Sequence, residues 1–352
     1  MLDQENINAL RMKRQYLIIK AGIKEYDALF RDMSPVQTLY WCCPGDPPRI
    51  VHRTDFPDND HNQKRRAKRI IVKGRFQNGS VAYIEQAELE LFAAIYRKPI
   101  KQYTEIEAEL IELFEHEGPM NIKLMKEMTG ILVKDITPAL HELQQAFIVY
   151  EDQTDNEWDR GWYLFETEFP DVDLKRYERN DAIKMVLQRF AKLNVLFDID
   201  NVKSYYKLSA KDIAPALNGL VDEGQLMIYG NGEKEKYMLR SDHEQLKRND
   251  FSNAGSVYVL HRNDWLVKSN EHWLKEKYRQ TDADVLQYIL IDGEFKGAVL
   301  GFFKQGPYIL TDVVLDIPED EAAKRKEEIL QAVYDVNSSK SRPVGKYMGC
   351  EV

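Results

Sequence analysis

Two short stretches, KDITPALHEL at residues 134–143 and KDIAPALNGL at residues 211–220, decide the architecture of this chain. Seven of their ten positions are identical, and the offset between them is 77 residues. Each stretch contains a proline, Pro138 in the first and Pro215 in the second. Because proline lacks an N–H group, a helix tolerates it best in its first turn. Both stretches therefore predict the start of a helix, and the chain contains an internal repeat.

The residues around each stretch predict the same order of elements. Before the first stretch, Thr104 and Glu107 form a capping-box pattern, and Gly130 is placed to end a second, short helix. After it come two extended runs around a polar turn. The second copy repeats this order, with Asn231 and Gly232 as hairpin-turn residues. Three helices and a hairpin predict a winged helix-turn-helix, so we expect two such domains, at residues 101–172 and 173–250.

The remaining segments flank this pair of predicted domains. Residues 1–100 predict a helical, winged-helix-like domain that also holds a basic segment and a hairpin. After residue 250 the apolar runs become extended, and Asp292 and Gly293 mark a hairpin turn. This pattern predicts a β-barrel-like domain or curled sheet at 251–318, with a charged helix and a tail at 319–352. The expected fold class is α+β and mainly α, with tandem winged helices before the C-terminal β domain.

Composition narrows the function classes. The 352 residues are 43% hydrophobic and 30% charged, which is ordinary for a globular, multidomain protein. We expect no membrane span and no signal peptide, and hence a cytoplasmic protein. Three cysteines cannot close a disulfide framework, and Cys42 and Cys43 are adjacent. Their spacing from His52 and His61 is unlike a zinc signature, so we expect neither a metal nor a cofactor.

Charge is distributed unevenly along the chain. The formal net charge is −9, yet residues 1–100 carry 17 Lys and Arg against 12 Asp and Glu, whereas residues 101–200 carry 11 against 22. We define the basic segment as seven cations within twelve positions: Lys64, Arg65, Arg66, Lys68, Arg69, Lys73 and Arg75. In a winged helix-turn-helix the third helix would read DNA, but here those helices, at 133–147 and 210–223, carry at least as many carboxylates as cations and suit a scaffold. The basic segment is the candidate for DNA phosphate contact, with a solvated face or a disordered loop as the alternative.

A second polar group lies at the start of the predicted β domain. His261, Arg262, Asn263 and Asp264 follow one another between apolar runs. One interpretation places these side chains in a cleft that faces the basic segment. The other makes them a hydrogen-bonded loop that stabilises the β domain.

Taken together, the stretches RMKRQYL, PVQT and LIDGEFKG and the repeated modules in this order resemble the AlkZ/YcaQ-type helix-turn-helix DNA glycosylases. The resemblance covers nearly the whole chain. It implies a monofunctional DNA glycosylase, a hydrolase of the N-glycosidic bond that excises alkylated or crosslinked bases from double-stranded DNA without a metal or cofactor. It also implies a DNA-repair role, for which Tyr40 and Trp41 are candidate residues for stacking on distorted DNA.

The family's catalytic motif is a glutamine, any residue, and then a glutamine or aspartate. The motif falls here on Gln37, Thr38 and Leu39, so the first polar position is kept and the second is apolar. Gln37 would then act alone, or with a carboxylate from elsewhere. Asp46, Asp55 and Asp264 are the candidates, of which we take Asp264 as the catalytic partner.

Two other functions remain open from the sequence. A non-catalytic winged-helix protein would use the same scaffold to sense damage or to regulate. An acidic protein-interaction platform is the third possibility.

Overall fold

Four groups of elements follow one another along the chain. The computed structural model describes residues 2–39, 46–152, 160–230, 234–248, 251, 255–303, 308–337 and 343–352. The N-terminal part contains α1 (Gln4–Arg14), α2 (Ile23–Met33), α3 (Asp58–Ala67), β1 (Ile71–Phe76), β2 (Ser80–Glu85) and α4 (Leu89–Tyr96). The first repeat unit contains α5 (Glu105–Glu117), α6 (Ile122–Thr129), α7 (Val133–Gln145), β3 (Val149–Asp152), β4 (Gly161–Leu164) and the short α8 (Phe165–Glu168). The second repeat unit contains α9 (Arg179–Asn194), β5 (Leu196–Asp198), α10 (Ile199–Tyr206), α11 (Ala210–Asp222), β6 (Leu226–Tyr229), β7 (Lys236–Leu239) and α12 (Arg240–Arg248). The C-terminal part contains β8 (Val257–His261), α13 (Trp265–Lys277), β9 (Asp284–Ile291), β10 (Glu294–Phe302), β11 (Ile309–Leu315), α14 (Glu319–Lys324), α15 (Lys326–Val336), β12 (Lys346–Tyr347) and β13 (Cys350–Glu351).

The repeat extends far beyond the ten residues that reveal it. Helices α6 and α10 have eight residues each, α7 and α11 have thirteen, and strands β3 and β6 have four. In each pair the second element begins 77 residues after the first. Both units therefore place three helices before a two-stranded hairpin. The chain as a whole mixes helices and strands, with helix predominating.

The prolines of the repeat lie one turn later than the sequence predicts. α7 begins at Val133 and α11 at Ala210, so Pro138 and Pro215 are each the sixth residue of their helix. The expectation that they occupy the first turn is therefore wrong. Each proline leaves one helical carbonyl without its usual N–H partner. The helix persists because its apolar face packs into the core of its unit.

That apolar face accounts for four of the seven identical positions of the repeat. In both units the matching isoleucine, alanine and leucines are buried. They are Ile136, Ala139, Leu140 and Leu143 in α7, and Ile213, Ala216, Leu217 and Leu220 in α11. Each unit therefore needs these four side chains for its own packing.

The C-terminal part is an open sheet and not a barrel. Its six strands lie in the order β13, β12, β11, β10, β9 and β8, and among the described residues the outer strands β13 and β8 do not pair with each other. The β-barrel-like domain expected at 251–318 is therefore wrong in its closure. The sequence pattern also missed α13, a helix of thirteen residues that follows β8 directly. Its buried residues include Leu266, Val267 and Leu274, at spacings that suit one helical face.

The hydrophobic cores cross the expected domain boundaries. One large core joins the N-terminal part to the second repeat unit and to α13, for example through Phe30, Phe190 and Trp265. The first repeat unit keeps a separate core around Leu140 and Trp162. No helix within the described stretches is both long and apolar enough to cross a bilayer.

Ion pairs attach the first repeat unit to the N-terminal part. Lys73 on β1 bonds Glu151 on β3 with its Nζ 2.5 Å from Oε1, and Arg160 reaches the same oxygen at 2.9 Å. Arg69 pairs with Glu168 and lies 3.6 Å from Asp152. Burial acts to raise the pKa of Glu151, but Lys73 and Arg160 hold that pKa below its usual value. Two cations of the basic segment, Arg69 and Lys73, are therefore bound to the acidic part of the chain.

We expect Glu151→Gln to lower the free energy of unfolding by about 3 kcal/mol, because it leaves the largely buried side chain of Lys73 without a counter-charge. Urea denaturation at neutral pH measures this change. Glu166→Gln, an exposed carboxylate on α8, is the matched control and should have little effect. Equal stability of the two variants would contradict the role given to this ion pair.

Candidate active site

Residues 33–39, which we call the motif loop, connect α2 to the segment that precedes α3. The hydroxyl of Tyr205, on α10, donates to the carbonyl of Pro35 at 2.8 Å and also lies against that of Met33. Val36 pairs with Tyr83 of β2 through two backbone hydrogen bonds of 2.8 and 2.9 Å. The motif loop is thus held by the N-terminal hairpin and by the second repeat unit.

Gln37 lies within this held loop and is half-buried. Its Nε2 donates to Oε1 of Gln77 at 3.0 Å. Gln77, at the turn between β1 and β2, in turn donates from its own Nε2 to the carbonyl of Tyr205 at 2.9 Å. No sequence signal marks Gln77, because nothing in its local pattern distinguishes it from an ordinary turn residue.

The second motif position is part of the packed interior. Leu39 is only 4% exposed. The next residues, including the stacking candidates Tyr40 and Trp41 and the cysteines Cys42 and Cys43, lie outside the described residues. Of the other candidate carboxylates near the loop, Asp46 is half-buried and Asp55 is exposed.

Asp264 occupies a structural position. Its two carboxylate oxygens accept from Arg53 at 2.7 and 3.0 Å, and both side chains are almost completely buried. One of these oxygens also accepts from the backbone N–H of Leu266 at 2.9 Å and so caps α13. With its lone pairs engaged in this way, Asp264 is not a free base beside Gln37. The geometry does not support the catalytic role predicted for it.

The residues next to Asp264 test whether this polar group lines a cleft or forms a hydrogen-bonded loop. Asn263 donates from Nδ2 to the carbonyl of Thr38 at 3.3 Å, which ties the group to the motif loop. His261 is buried, with its Nε2 3.2 Å from the hydroxyl of Tyr308, and burial lowers its pKa to about 4. Arg262 is exposed. Asn263 therefore supports the motif loop, whereas His261 and Asp264 make hydrogen bonds to other parts of the molecule.

The structure disperses the basic segment. Arg65 pairs with Glu85 at 2.7 Å and stacks on Phe30, and Arg66 is buried. Arg69 and Lys73 hold the first repeat unit, as described above. Within the basic segment, only Lys64 and Lys68 are exposed and form no ion pair with a described residue. The segment does not form one phosphate-binding face, because three of its seven cations pair with carboxylates within the chain and Arg66 is buried.

Arg75, the last residue of the basic segment, joins cations from elsewhere in the chain in a cleft beside the β1–β2 turn. We call it the basic cleft, which has a volume of about 270 Å³ and is bordered by Asn78 and Gly79. Its charged residues are Arg75, Arg97, Lys98, Arg179, Lys207 and Asp212. Sequence reasoning missed the cleft because these residues come from five separate parts of the chain: β1, the end of α4, α9, the end of α10 and α11.

Three cations of the basic cleft have no salt bridge within the described residues. Lys98 bonds the side chain of Gln145 at 3.0 Å, and Arg97 donates to the carbonyl of Ala146 at 3.2 Å. Arg75 donates to Nε2 of His141 at 2.6 Å. Burial and the adjacent Arg75 lower the pKa of His141 to about 4, so this imidazole is neutral and accepts at neutral pH. The cleft therefore retains positive charge for an anionic partner.

The described residues contain no group of three or more His, Cys, Asp or Glu side chains arranged to hold a metal ion.

The fold is similar to that of the DNA glycosylase AlkZ of Streptomyces sahachiroi, with a TM-score of 0.71. The match covers 98% of this chain and 100% of that chain at 14% sequence identity. No family model matches the sequence, and a search of curated proteins finds no match. The resemblance read from the sequence is thereby confirmed as a likeness of fold.

Asp264→Asn separates the structural and the catalytic interpretation of this residue. The amide still caps α13 but offers no charge to Arg53, so we expect a loss of about 3 kcal/mol in the free energy of unfolding. Chemical denaturation measures the loss, and Asp55→Asn is the exposed control. Unchanged stability of Asp264→Asn would contradict the structural interpretation.

Proposed function

We propose that this protein is a DNA glycosylase that hydrolyses the N-glycosidic bond of alkylated bases in double-stranded DNA, including bases joined in crosslinks. The observation that carries the proposal is Gln37. It lies at the position where the family's motif begins, in a loop fixed by hydrogen bonds from two other elements. The likeness of fold to a DNA glycosylase supports the same interpretation.

Gln37 suits the chemistry of a cationic leaving group. A purine alkylated at N7 already carries a positive charge, so the bond between C1′ and N9 breaks with its electron pair moving to the base. The sugar becomes oxocarbenium-like, and water adds to C1′ and releases a proton to solvent. An amide carbonyl stabilises the developing positive charge and orients the water, although it is no base. A single glutamine is therefore compatible with excision of such bases.

The basic cleft is the proposed contact for the DNA backbone. Its unpaired cations Arg75, Arg97 and Lys98 lie beside the turn that carries Gln77, and Gln77 bonds Gln37. A phosphate bound here would therefore lie close to the motif loop. We propose that the two repeat units are winged helices that act as a scaffold for this cleft. Lys64 and Lys68 are the members of the basic segment that remain exposed for a further phosphate contact.

Leu39 favours one alternative function. Because the second motif position is buried and apolar, the same scaffold can bind damaged DNA without cleaving the glycosidic bond. This non-catalytic protein would sense damage or regulate, and it would keep the basic cleft. Measurements of base release and of DNA affinity separate the two functions.

We expect the protein to release 7-methylguanine from duplex DNA under single-turnover conditions, and Gln37→Leu to lower the rate by about a hundredfold. Gel analysis of abasic sites after alkali treatment measures the release above the spontaneous background. Gln63→Leu, a half-buried glutamine on α3, is the matched control and should keep the rate. DNA binding without release by the unmodified protein would favour the non-catalytic alternative.

The paired change Arg97→Gln and Lys98→Gln tests the basic cleft. We expect weaker duplex binding and a plot of log affinity against log salt whose slope falls by about 2, because two phosphate contacts are lost. Fluorescence anisotropy at several salt concentrations measures this slope. Lys324→Gln, an exposed lysine on α14, is the control. A larger effect from Lys64→Gln with Lys68→Gln would move the backbone contact to α3.

A further inference from the structure

We propose that Gln77 is a positioning residue that fixes the side-chain amide of Gln37 with its carbonyl oxygen free to face the substrate. This inference rests on the proposed glycosylase function and assigns a residue outside the family motif. Gln77 lies 40 positions along the chain from Gln37, at the turn of a different element.

The side-chain amide of Gln77 is buried and hydrogen-bonded. Gln77 is 2% exposed, and both ends of its amide are engaged. Its Nε2 donates to the carbonyl of Tyr205 at 2.9 Å, and its Oε1 accepts from Gln37 at 3.0 Å. A buried amide with both ends satisfied has one stable orientation, because turning it over would break two hydrogen bonds.

The backbone carbonyl of Tyr205 sets the direction of this relay. A carbonyl oxygen only accepts, so Gln77 must present its NH₂ group to Tyr205 and its oxygen to Gln37. Gln37 must then present its NH₂ group to Gln77. No described residue donates to Oε1 of Gln37. The carbonyl of Tyr205 thus determines the orientation of both side-chain amides, first that of Gln77 and through it that of Gln37.

This orientation matters because Leu39 supplies no second polar group. An exposed carbonyl oxygen on Gln37 accepts from a water and attracts a positively charged sugar. The reversed amide would direct N–H groups at the same place and oppose the developing charge. With a single amide in the motif, its direction decides whether the site favours the transition state.

The turn that carries Gln77 also contacts the proposed DNA cleft. The backbone of Gln77 has a φ of 47°, a value that residues other than glycine rarely adopt. The next residues, Asn78 and Gly79, line the basic cleft. The same turn therefore borders the proposed DNA-backbone contact and carries the residue that orients Gln37.

Gln77→Glu tests the relay through its pH dependence. A protonated carboxyl donates to the carbonyl of Tyr205 and accepts from Gln37, as the amide does. An ionised carboxylate has no proton to donate and is repelled by that carbonyl, so residue 77 loses its anchor and no longer holds Gln37 in place. We expect its single-turnover release of 7-methylguanine to match the unmodified protein near about pH 5. The rate should fall at least about tenfold as the pH rises through the pKa of the introduced carboxyl, which burial raises.

Two further variants make the test specific. Gln77→Leu can neither donate nor accept, so its rate should be low at every pH. Gln86→Glu places the same charge at an exposed position after β2 and should follow the unmodified protein. DNA affinity of all variants, measured by anisotropy, should stay within about twofold, since an effect on binding alone would show a lost contact with DNA. A pH profile of Gln77→Glu that follows the unmodified protein would overturn the proposal.

A second measurement separates this inference from the proposed function. If the unmodified protein releases no base, the glycosylase proposal fails, and the relay is then tested by NMR of protein labelled with ¹⁵N-glutamine. Side-chain NH₂ signals are assigned with Gln37→Leu and Gln77→Leu. We expect the loss of Gln77 to shift the Gln37 signal and to speed its exchange with water. An unchanged Gln37 signal would overturn the positioning role.

Discussion

The buried guanidinium of Arg53 joins three parts of the molecule that are far apart in sequence. It is 0% exposed, pairs with Asp264 at the start of α13, and donates to Gln15 after α1 at 3.1 Å. Gln15 in turn donates to the carbonyl of Leu193 near the end of α9 at 3.1 Å. Because a buried charge is tolerated only with its partners in place, these elements have one stable arrangement. The arrangement brings Tyr205 and Asn263 to the motif loop.

The uneven charge of the sequence has a similar internal explanation. The excess of cations in residues 1–100 and the excess of carboxylates in residues 101–200 meet where β1 packs beside β3, through pairs such as Lys73 with Glu151. Cations engaged in this way are unavailable to DNA. The positive charge that remains for a partner is carried by residues such as Lys98, which the charge pattern along the chain does not single out.

The features that the sequence predicted are local or periodic. The repeat at 77 residues, the capping box at Thr104 and the place of Gln37 follow from patterns that a single segment contains. The closure of the C-terminal sheet, the buried pair of Asp264 and the relay through Gln77 depend on contacts between distant segments. A residue such as Asp264 has the same local pattern whether it serves as a base or as a helix cap. Only the structure identifies its partner, Arg53.

The repeat has a further consequence, because its two copies make different contacts with the rest of the molecule. Tyr205 holds the motif loop, whereas the residue 77 positions earlier, Met128, is 45% exposed to solvent. Likewise Asn201 bonds the backbone of α13, while its counterpart Leu124 is exposed. At these sites a neighbouring element therefore constrains the second copy and not the first. The two copies share the four apolar side chains that each buries in its own core, and they differ here, where only one has a neighbour to support.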